Sequence, residues 1–174
     1  MITMNLKEVD NLLLVIGKTK GLLDQSLFAR DILNEKNGPP PEINLFNEKN
    51  NGETILKLID NKFIKAAHDV SLGGIITALS KMSIKGKKGA TIKKPNYLIN
   101  QFEYLFGEDQ GRYIIEIDTG NFEGVVKILL ENSVHYDELG IVNDDTLIID
   151  DKSKVSIDDL IKSHTTWLTN YMSK

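Results

Sequence analysis

The short spacing between apolar segments is the feature that most limits the folds open to this chain. Two candidate strands, at 137–142 and 146–149, are joined by Asn143-Asp144-Asp145 alone. A parallel crossover connection needs about a dozen residues or more, usually including a helix. Other candidate strands are separated by helical patterns. We therefore predict an α+β domain, a mixed β-sheet covered by α-helices, and not a purely parallel α/β sheet.

The remaining apolar patterns place the elements of this fold along the chain. A continuous apolar run indicates a buried strand, and apolar residues three or four apart indicate a helix. The predicted strands lie at 12–16, 63–70, 90–92, 112–117, 137–142 and 146–149. The predicted helices lie near 26–33, 53–59, 75–82, 98–106, 121–130 and 157–171. Ser26, Asn96 and Ser156 are expected to cap three of the helices, and Gly107 to end the one at 98–106.

The last predicted helix carries a long apolar stripe. The residues of this stripe are Leu160, Ile161, His164, Trp167, Leu168 and Tyr171. Their spacing puts all of them on one face of a helix. We expect this face, including His164, to pack against the domain.

Composition indicates one ordinary globular domain. The chain has 174 residues, of which 41% are hydrophobic and 26% charged, so we treat 1–174 as a single domain. The net charge of −4 is not that of a general nucleic-acid binder. No apolar run approaches the roughly 18 residues that span a bilayer, and the first residues lack a signal-peptide pattern. We therefore expect a cytoplasmic protein that binds neither nucleic acid nor a membrane.

Two further patterns exclude particular kinds of chemistry. The chain has no cysteine, which excludes disulfides, thiolate metal sites and a cysteine nucleophile. Gly17-Lys18-Thr19 follows an apolar strand and imitates the end of a P-loop. The full motif needs a glycine five residues before its Gly-Lys pair, and Leu12 stands there. We therefore predict neither a P-loop nor a metal site, since His, Asp and Glu do not stand at metal-ligand spacing either.

The segment 68–74 is the first candidate site. Gly73 and Gly74 follow a predicted strand and open a helix, where free amide N–H groups and the helix dipole favour an anion. His68 and Asp69 lie at the carboxyl end of that strand, where α/β folds often place ligand-contacting groups. The alternative is structural: Asp69 or Ser71 caps the helix while the glycines allow close packing, which is the commoner role for such residues.

The segment 107–113 is the second candidate site. It places Glu108, Asp109, Gln110 and Arg112 on a short loop between a helix and a strand. Such loops carry function more often than the elements they join. Arg112 could pair with Glu108 across the turn or with a phosphate. The alternative is a polar turn that pairs with itself, and spacing alone does not decide between the two.

Taken together, the two segments resemble one enzyme family. His68-Asp69-Val70-Ser71-x-Gly73-Gly74 and the later Phe-Gly-Glu-Asp-Gln-Gly-Arg-Tyr string at 106–113 are similar to the C-terminal domain of phosphoribosylformylglycinamidine synthases. Family features recur in order from about residue 12 to 149. The chain departs from the pattern at Leu72, where Asp is usual, and at Asp24, where Gly is usual. The first departure removes a carboxylate from the predicted anion turn.

This resemblance implies a fold like the C-terminal domain of aminoimidazole ribonucleotide synthetase and a chain that is one piece of a larger enzyme. That enzyme uses ATP and Mg²⁺ to convert formylglycinamide ribonucleotide to the amidine, with ammonia from a glutaminase subunit or domain. The resemblance implies that ATP, Mg²⁺ and the catalytic groups are held mainly by the remaining domains. No catalytic residue or metal ligand is assigned here, and the isolated chain is expected to be inactive.

Nine residues are then substrate- or nucleotide-facing candidates. They are His68, Asp69, Ser71, Gly73, Gly74, Glu108, Asp109, Gln110 and Arg112. Two alternatives remain open at this point. The chain could be a stand-alone, non-catalytic binding or scaffold module of the same fold, or a domain of another ATP-dependent synthetase of the superfamily.

Overall fold

A seven-stranded mixed sheet forms the centre of the domain in a computed structural model, which describes residues 1–35, 38–95 and 97–173. The strands are β1 (Leu12–Ile16), β2 (Ile64–Val70), β3 (Gly89–Ile92), β4 (Arg112–Ile117), β5 (Tyr136–Asn143), β6 (Thr146–Ile149) and β7 (Ser153–Ser156). Their order across the sheet is β2-β4-β1-β5-β3-β6-β7. β3 and β6 pair in parallel and the other neighbours pair antiparallel. The predicted α+β class with a mixed sheet is confirmed.

The short connection from β5 to β6 does not form a simple hairpin, because β3 lies between the two strands. The connection closes around Gly89, the first residue of β3. The Asn143 side chain and the backbone of Thr146 occupy the position that a Cβ atom would take at Gly89. A glycine is therefore required at position 89, where β3 enters the sheet between β5 and β6.

Helices cover both faces of the sheet. They are α1 (Leu45–Asp60), α2 (Gly74–Gly86), α3 (Gln101–Phe106), α4 (Phe122–Glu131) and α5 (Ile157–Met172). One core cluster joins the sheet to α2, α3 and the start of α5, and the other joins it to α1 and α4. Both clusters draw on β1, whose successive side chains point to opposite faces, so that Leu13 enters one cluster and Leu14 the other.

The predicted strands are all confirmed, and one strand was missed. β7 contains a single large apolar residue, Val155, and lies at the sheet edge with most of its residues exposed. Such a strand leaves no apolar run in the sequence. It is held by antiparallel pairing with β6.

The helix predicted near 26–33 is confirmed, since residues 27–33 are helical. Its last five residues, Ala29–Leu33, form a π-helical turn, and the Ser26 hydroxyl accepts a hydrogen bond from the Ala29 amide at 3.1 Å, as the predicted cap would. Two of its apolar residues, Ile32 and Leu33, are exposed.

The helix ends are confirmed in part. Asn96, the expected cap of α3, lies outside the described residues. The described cap is Asn100, which forms a capping box with Glu103. Gly107 ends this helix as predicted, and Ser156 accepts a hydrogen bond from the Asp159 amide at the start of α5.

The packing predicted for the stripe of α5 is wrong in its second half. Leu160 and Ile161 pack against the core, but every described residue of the helix after Ile161 is exposed, His164 included. The helix has 16 residues, which corresponds to a length of about 24 Å. Its stripe therefore continues beyond the surface on which it begins. None of the helices in the described part of the chain is long and apolar enough to cross a membrane.

Candidate functional site

Glu108 joins the two segments that the sequence singled out. Its carboxylate oxygen Oε1 accepts hydrogen bonds from the backbone amides of Gly73 and Leu27, both at 2.8 Å. Gly73 is the N-cap of α2, and it has no side chain with which to cap the helix. The Glu108 carboxylate therefore takes the position at the helix N-terminus that the sequence assigned to an anion.

Asp109 is held in the same way by a different loop. Its Oδ2 atom accepts hydrogen bonds from the amides of Lys20 and Gly21 at 3.1 and 2.9 Å, and Oδ1 receives a longer one from Leu22 at 3.4 Å. Asp109 is only 5% exposed. Three consecutive amides thus surround one buried carboxylate, and the loop after β1 is tied to the loop before β4.

Arg112 connects the same two loops through its guanidinium group. Its side chain is fully buried and donates hydrogen bonds to the carbonyl oxygens of Asp109 and Gly107, at 3.1 and 2.6 Å, and to the Thr19 hydroxyl at 3.2 Å. Its Nη1 atom lies 3.7 Å from Asp109 Oδ2. The ion pair is therefore made with Asp109 and not with Glu108, which corrects one of the two pairings considered. Burial lowers the pKa of Arg112, and the Asp109 carboxylate opposes that shift.

Gly73 and Gly74 are both required by backbone geometry. Their φ angles are +82° and +69°. A Cβ atom on Gly74 would lie 2.6 Å from the carbonyl oxygen of Leu105 and 2.8 Å from that of Gly107. The start of α2 therefore contacts the end of α3 backbone to backbone, and a larger residue cannot fit without movement.

The exposed members of the predicted set line a hollow of about 250 Å³ beside this framework. Asp69, Ser71 and Gln110 open into it, together with Glu48 of α1 and Tyr113 of β4. Partial burial raises the pKa of Tyr113, and the Glu48 and Asp69 carboxylates raise it further.

The hollow is acidic in character. Among its described lining residues the cation is Arg112, whose side chain is fully buried and whose three nitrogens each donate a hydrogen bond inside the framework. A free phosphate would therefore meet the carboxylates of Glu48 and Asp69. Hydroxyl or amino groups, which donate hydrogen bonds, fit this surface better.

His68 faces a second, more open hollow next to the first. Its Nδ1 atom lies 2.9 Å from Asp69 Oδ1, and Nε2 is buried without a hydrogen-bond partner among the described residues. The lining also includes Met4, Ala67 and Tyr113. Asp69 borders both hollows, so it is the residue that connects His68 to the remaining candidates.

The sequence did not predict that the loop after β1 binds Asp109 and Arg112, or that Glu48 lines the hollow. The incomplete P-loop pattern predicts no role for Thr19, but Thr19 is 3% exposed and accepts a hydrogen bond from Arg112. The backbone amides of residues 20–22 cannot be recognised as Asp109 ligands from the sequence, because every residue except proline has the same backbone N–H group. Gly21, which has a φ angle of +78°, was the one available hint of a special turn. In the described residues no group of three or more His, Asp or Glu is arranged to hold a metal ion.

The fold and the two joined segments define a recognisable class of domain. The sequence profile of the C-terminal domain of AIR synthase related proteins matches residues 8–152. The chain belongs to this family. Among curated proteins it is 84% identical over 172 residues to phosphoribosylformylglycinamidine synthase subunit PurL of Pelagibacter ubique, covering 99% of the chain and 24% of that protein. It is 38% identical over 162 residues to the subunit of the same name from Bartonella bacilliformis, covering 93% of the chain and 22% of that protein.

A solved structure gives the same result for the fold. The PurL protein of Thermotoga maritima in complex with FGAR superposes with a TM-score of 0.77 at 18% identity, over 92% of this chain and 29% of that one. The structure of the same protein in complex with ATP superposes with a TM-score of 0.70 at 16% identity, over 92% and 27%. Identities this low show a shared fold. The chain spans about a quarter of the length of the curated relatives it matches.

Proposed function

We propose that the chain is the C-terminal domain of a phosphoribosylformylglycinamidine synthase subunit. The observation that carries this proposal is its 84% identity with the Pelagibacter ubique subunit over nearly the whole chain. In the reaction of that family, ATP phosphorylates the formamide oxygen of formylglycinamide ribonucleotide. Ammonia then displaces phosphate to give the amidine, with ADP as the second product. The setting is de novo purine biosynthesis in the cytoplasm.

The domain's own part in this reaction is to present a surface. Glu108, Asp109 and Arg112, with the glycines at 73 and 74, form the buried framework that fixes the loops around the hollow. Asp69, Ser71 and Gln110 are the exposed polar groups that the framework holds in place, with His68 behind Asp69. We assign the exposed group to direct contact with substrate, nucleotide or an adjoining domain, and the buried group to positioning.

ATP, Mg²⁺ and ammonia are supplied by the rest of the enzyme in this proposal. Phosphoryl transfer needs nucleotide and metal held in line with the nucleophile. The described residues hold no group of three or more His, Asp or Glu arranged around a metal ion. Nucleotide phosphates would also meet the Glu48 and Asp69 carboxylates at the hollow. We therefore assign the metal and most nucleotide contacts to the other domains, and ammonia production to a glutaminase partner.

A chimeric enzyme tests the proposal. In this chimera the chain replaces the matching 172 residues of the Pelagibacter ubique subunit. ADP release that depends on formylglycinamide ribonucleotide, with ammonium salt as nitrogen source, would be compared for the chimera, the parent subunit and the isolated chain. We expect activity in the chimera within about tenfold of the parent, since core swaps between close relatives keep packing, and none in the isolated chain.

A folded, monodisperse chimera without activity would contradict the proposal. It would favour a non-catalytic module of the same fold. Activity in the isolated chain would equally contradict it, because the catalytic groups would then lie within these 174 residues.

A further inference from the structure

The second half of α5 carries an apolar face that its own domain does not cover. Trp167 and Tyr171 are each 65% exposed and Leu168 is 57% exposed. The rings of Trp167 and Tyr171 stack with their centroids 5.6 Å apart. At the other end of the same stripe, Leu160 and Ile161 are packed against the core. The exposed face therefore continues a surface that already forms an interface.

The polar side of this half-helix is also unlike that of a solvent-facing helix. Residues 163–173 include no Asp, Glu, Lys or Arg. An exposed helix ordinarily carries charged residues opposite its apolar stripe. Here the polar positions hold Ser, Thr and Asn, and the hydroxyls of Thr165 and Thr166 bond back to carbonyl oxygens one turn earlier. These residue types are weak helix formers.

A helix segment of this composition needs packing to be stable. Intrinsic propensity contributes little here, and most helical stability in proteins comes from burial of an apolar face. The domain supplies that burial only up to Ile161. The rest of the packing has to come from a surface outside the described chain.

The position of α5 relative to the family match indicates which surface this is. The family profile ends at residue 152, before α5 begins. The alignment with the Pelagibacter ubique subunit covers 99% of the chain and therefore includes α5. The helix thus lies outside the family profile and inside the alignment with the synthase relative.

We propose that the distal face of α5, formed by Trp167, Leu168, Tyr171 and Met172, docks onto an apolar surface in the part of the synthase subunit that lies outside this chain. The inference rests on the proposed function. About three quarters of the Pelagibacter ubique subunit lies outside the match. A domain of the same polypeptide can use a small contact, because covalent linkage gives a high effective concentration.

A second copy of the chain is a poorer occupant for this face. Two aromatic and two aliphatic side chains can bury on the order of 500 Å². Stable complexes between separate proteins bury about 800 Å² on each partner. The face is therefore too small for a stable homodimer and large enough for a domain contact.

Hydrogen exchange of residues 163–173 tests the docking in the isolated chain and in the chimera. We expect exchange at least about tenfold slower in the chimera, because opening of a docked helix requires separation of the interface. Equal exchange in both proteins would overturn the inference. Sedimentation of the isolated chain tests whether a second copy of the chain binds this face, and we expect the chain to be monomeric. Self-association that is lost on changing Trp167 would also overturn it.

Two variants of the chimera identify the face. Trp167→Ala combined with Tyr171→Ala should make hydrogen exchange of residues 163–173 at least about tenfold faster in the chimera, although alanine raises helix propensity. Loss of protection therefore cannot be attributed to a weaker helix. Thr166→Ala, on the opposite side of the helix, is the matched control and should keep the protection. Protection that survives the double substitution would show that another surface is used.

The two proposals fail separately. An active chimera with fast exchange in α5 would leave the proposed function standing and overturn the docking. A folded but inactive chimera with protected α5 would overturn the function and leave a domain contact.

Discussion

The Glu108 carboxylate lies 2.8 Å from the Gly73 amide and caps the helix that begins one residue later. A charge from the loop before β4 thus serves the N-terminus of α2, 35 residues earlier in the chain. The same oxygen also accepts from the Leu27 amide. One side chain therefore ties three separate loops together, and the predicted anion position is filled from within the domain.

Replacing Glu108 should destabilise the domain strongly. Glu108→Ala leaves two amides without their carboxylate acceptor, and hydrogen bonds to charged groups contribute roughly 1.5–3 kcal/mol. We expect a loss of about 3 kcal/mol in the free energy of unfolding, measured from urea midpoints. Gln110→Ala is the control, since Gln110 is exposed, and it should change stability by less than about 0.5 kcal/mol. Equal effects of the two changes would show that the Glu108 contacts do not stabilise the fold.

Replacing Arg112 should show that its contribution to stability is coupled to that of Asp109. Arg112→Met leaves the Asp109 carboxylate buried without its cation, which costs roughly 3–5 kcal/mol. Adding Asp109→Asn removes the unpaired charge and should recover part of this loss, so that the two changes are not additive. Urea unfolding of both single variants and the double variant measures the coupling. Strict additivity would mean that the two side chains act independently.

Two glycine substitutions should have opposite effects. Gly74→Ala forces a Cβ atom against backbone carbonyls at a φ angle of +69° and should destabilise by more than about 1 kcal/mol. Gly52→Ala, inside α1, places its Cβ atom in ordinary contact, 3.5 Å from the Tyr113 hydroxyl. A glycine in a helix interior is less stable than alanine by about 0.5–1 kcal/mol, so this change should stabilise. The sign of each shift in melting temperature is the readout, and a stabilising Gly74→Ala would refute the close contact.

Tyr97 should make stability depend on alkaline pH. Burial first, and then the Asp137 carboxylate that accepts its hydrogen bond at 3.2 Å, raise the pKa of Tyr97 to about 12. The unfolded value is about 10. The folded state therefore favours the neutral phenol, so its contribution is complete below pH 10 and is lost between about 10 and 12.

Comparison with Tyr97→Phe isolates this contribution. The difference in unfolding free energy between the two proteins should be constant below pH 10 and should shrink above it. Asp137→Asn removes the negative charge but keeps an acceptor, so the pKa of Tyr97, followed by tyrosinate absorbance, should fall. A tyrosine titration unchanged by Asp137→Asn would contradict the assigned cause.

Local pattern predicted the elements of the sheet better than it predicted the contacts of the candidate site. The predicted strand at 112–117 begins at Arg112 and ends at Ile117 as expected, because an apolar run and the turn residues before it are local signals. The roles of Glu108 and Asp109 depend on amides at Leu27 and Gly21, which are 81 and 88 residues away. A one-dimensional reading cannot assign such partners. The sequence pattern selected residues that lie together in the structure, and it left open whether they face a ligand or the protein.

The same limit applies to α5. Periodicity predicted the helix and the residues of its apolar stripe, from Leu160 to Tyr171, but the expected packing holds only up to Ile161, because periodicity gives no information on what lies opposite each turn. Ile161 meets the domain and Trp167 does not. Which residues of the stripe are buried depends on where the rest of the domain lies, and the sequence pattern of one helix does not contain that information.

The division of the candidate residues into a buried framework and an exposed functional surface is tested most directly by Asp69→Asn in the chimeric synthase. Asp69 is exposed, borders both hollows and can be exchanged for an amide of the same shape. The measurement is kcat/KM for ADP release that depends on formylglycinamide ribonucleotide. We predict a fall of at least about tenfold, corresponding to about 1.4 kcal/mol of transition-state stabilisation, with the urea midpoint of the isolated chain unchanged. An unchanged kcat/KM would contradict a functional role for this surface.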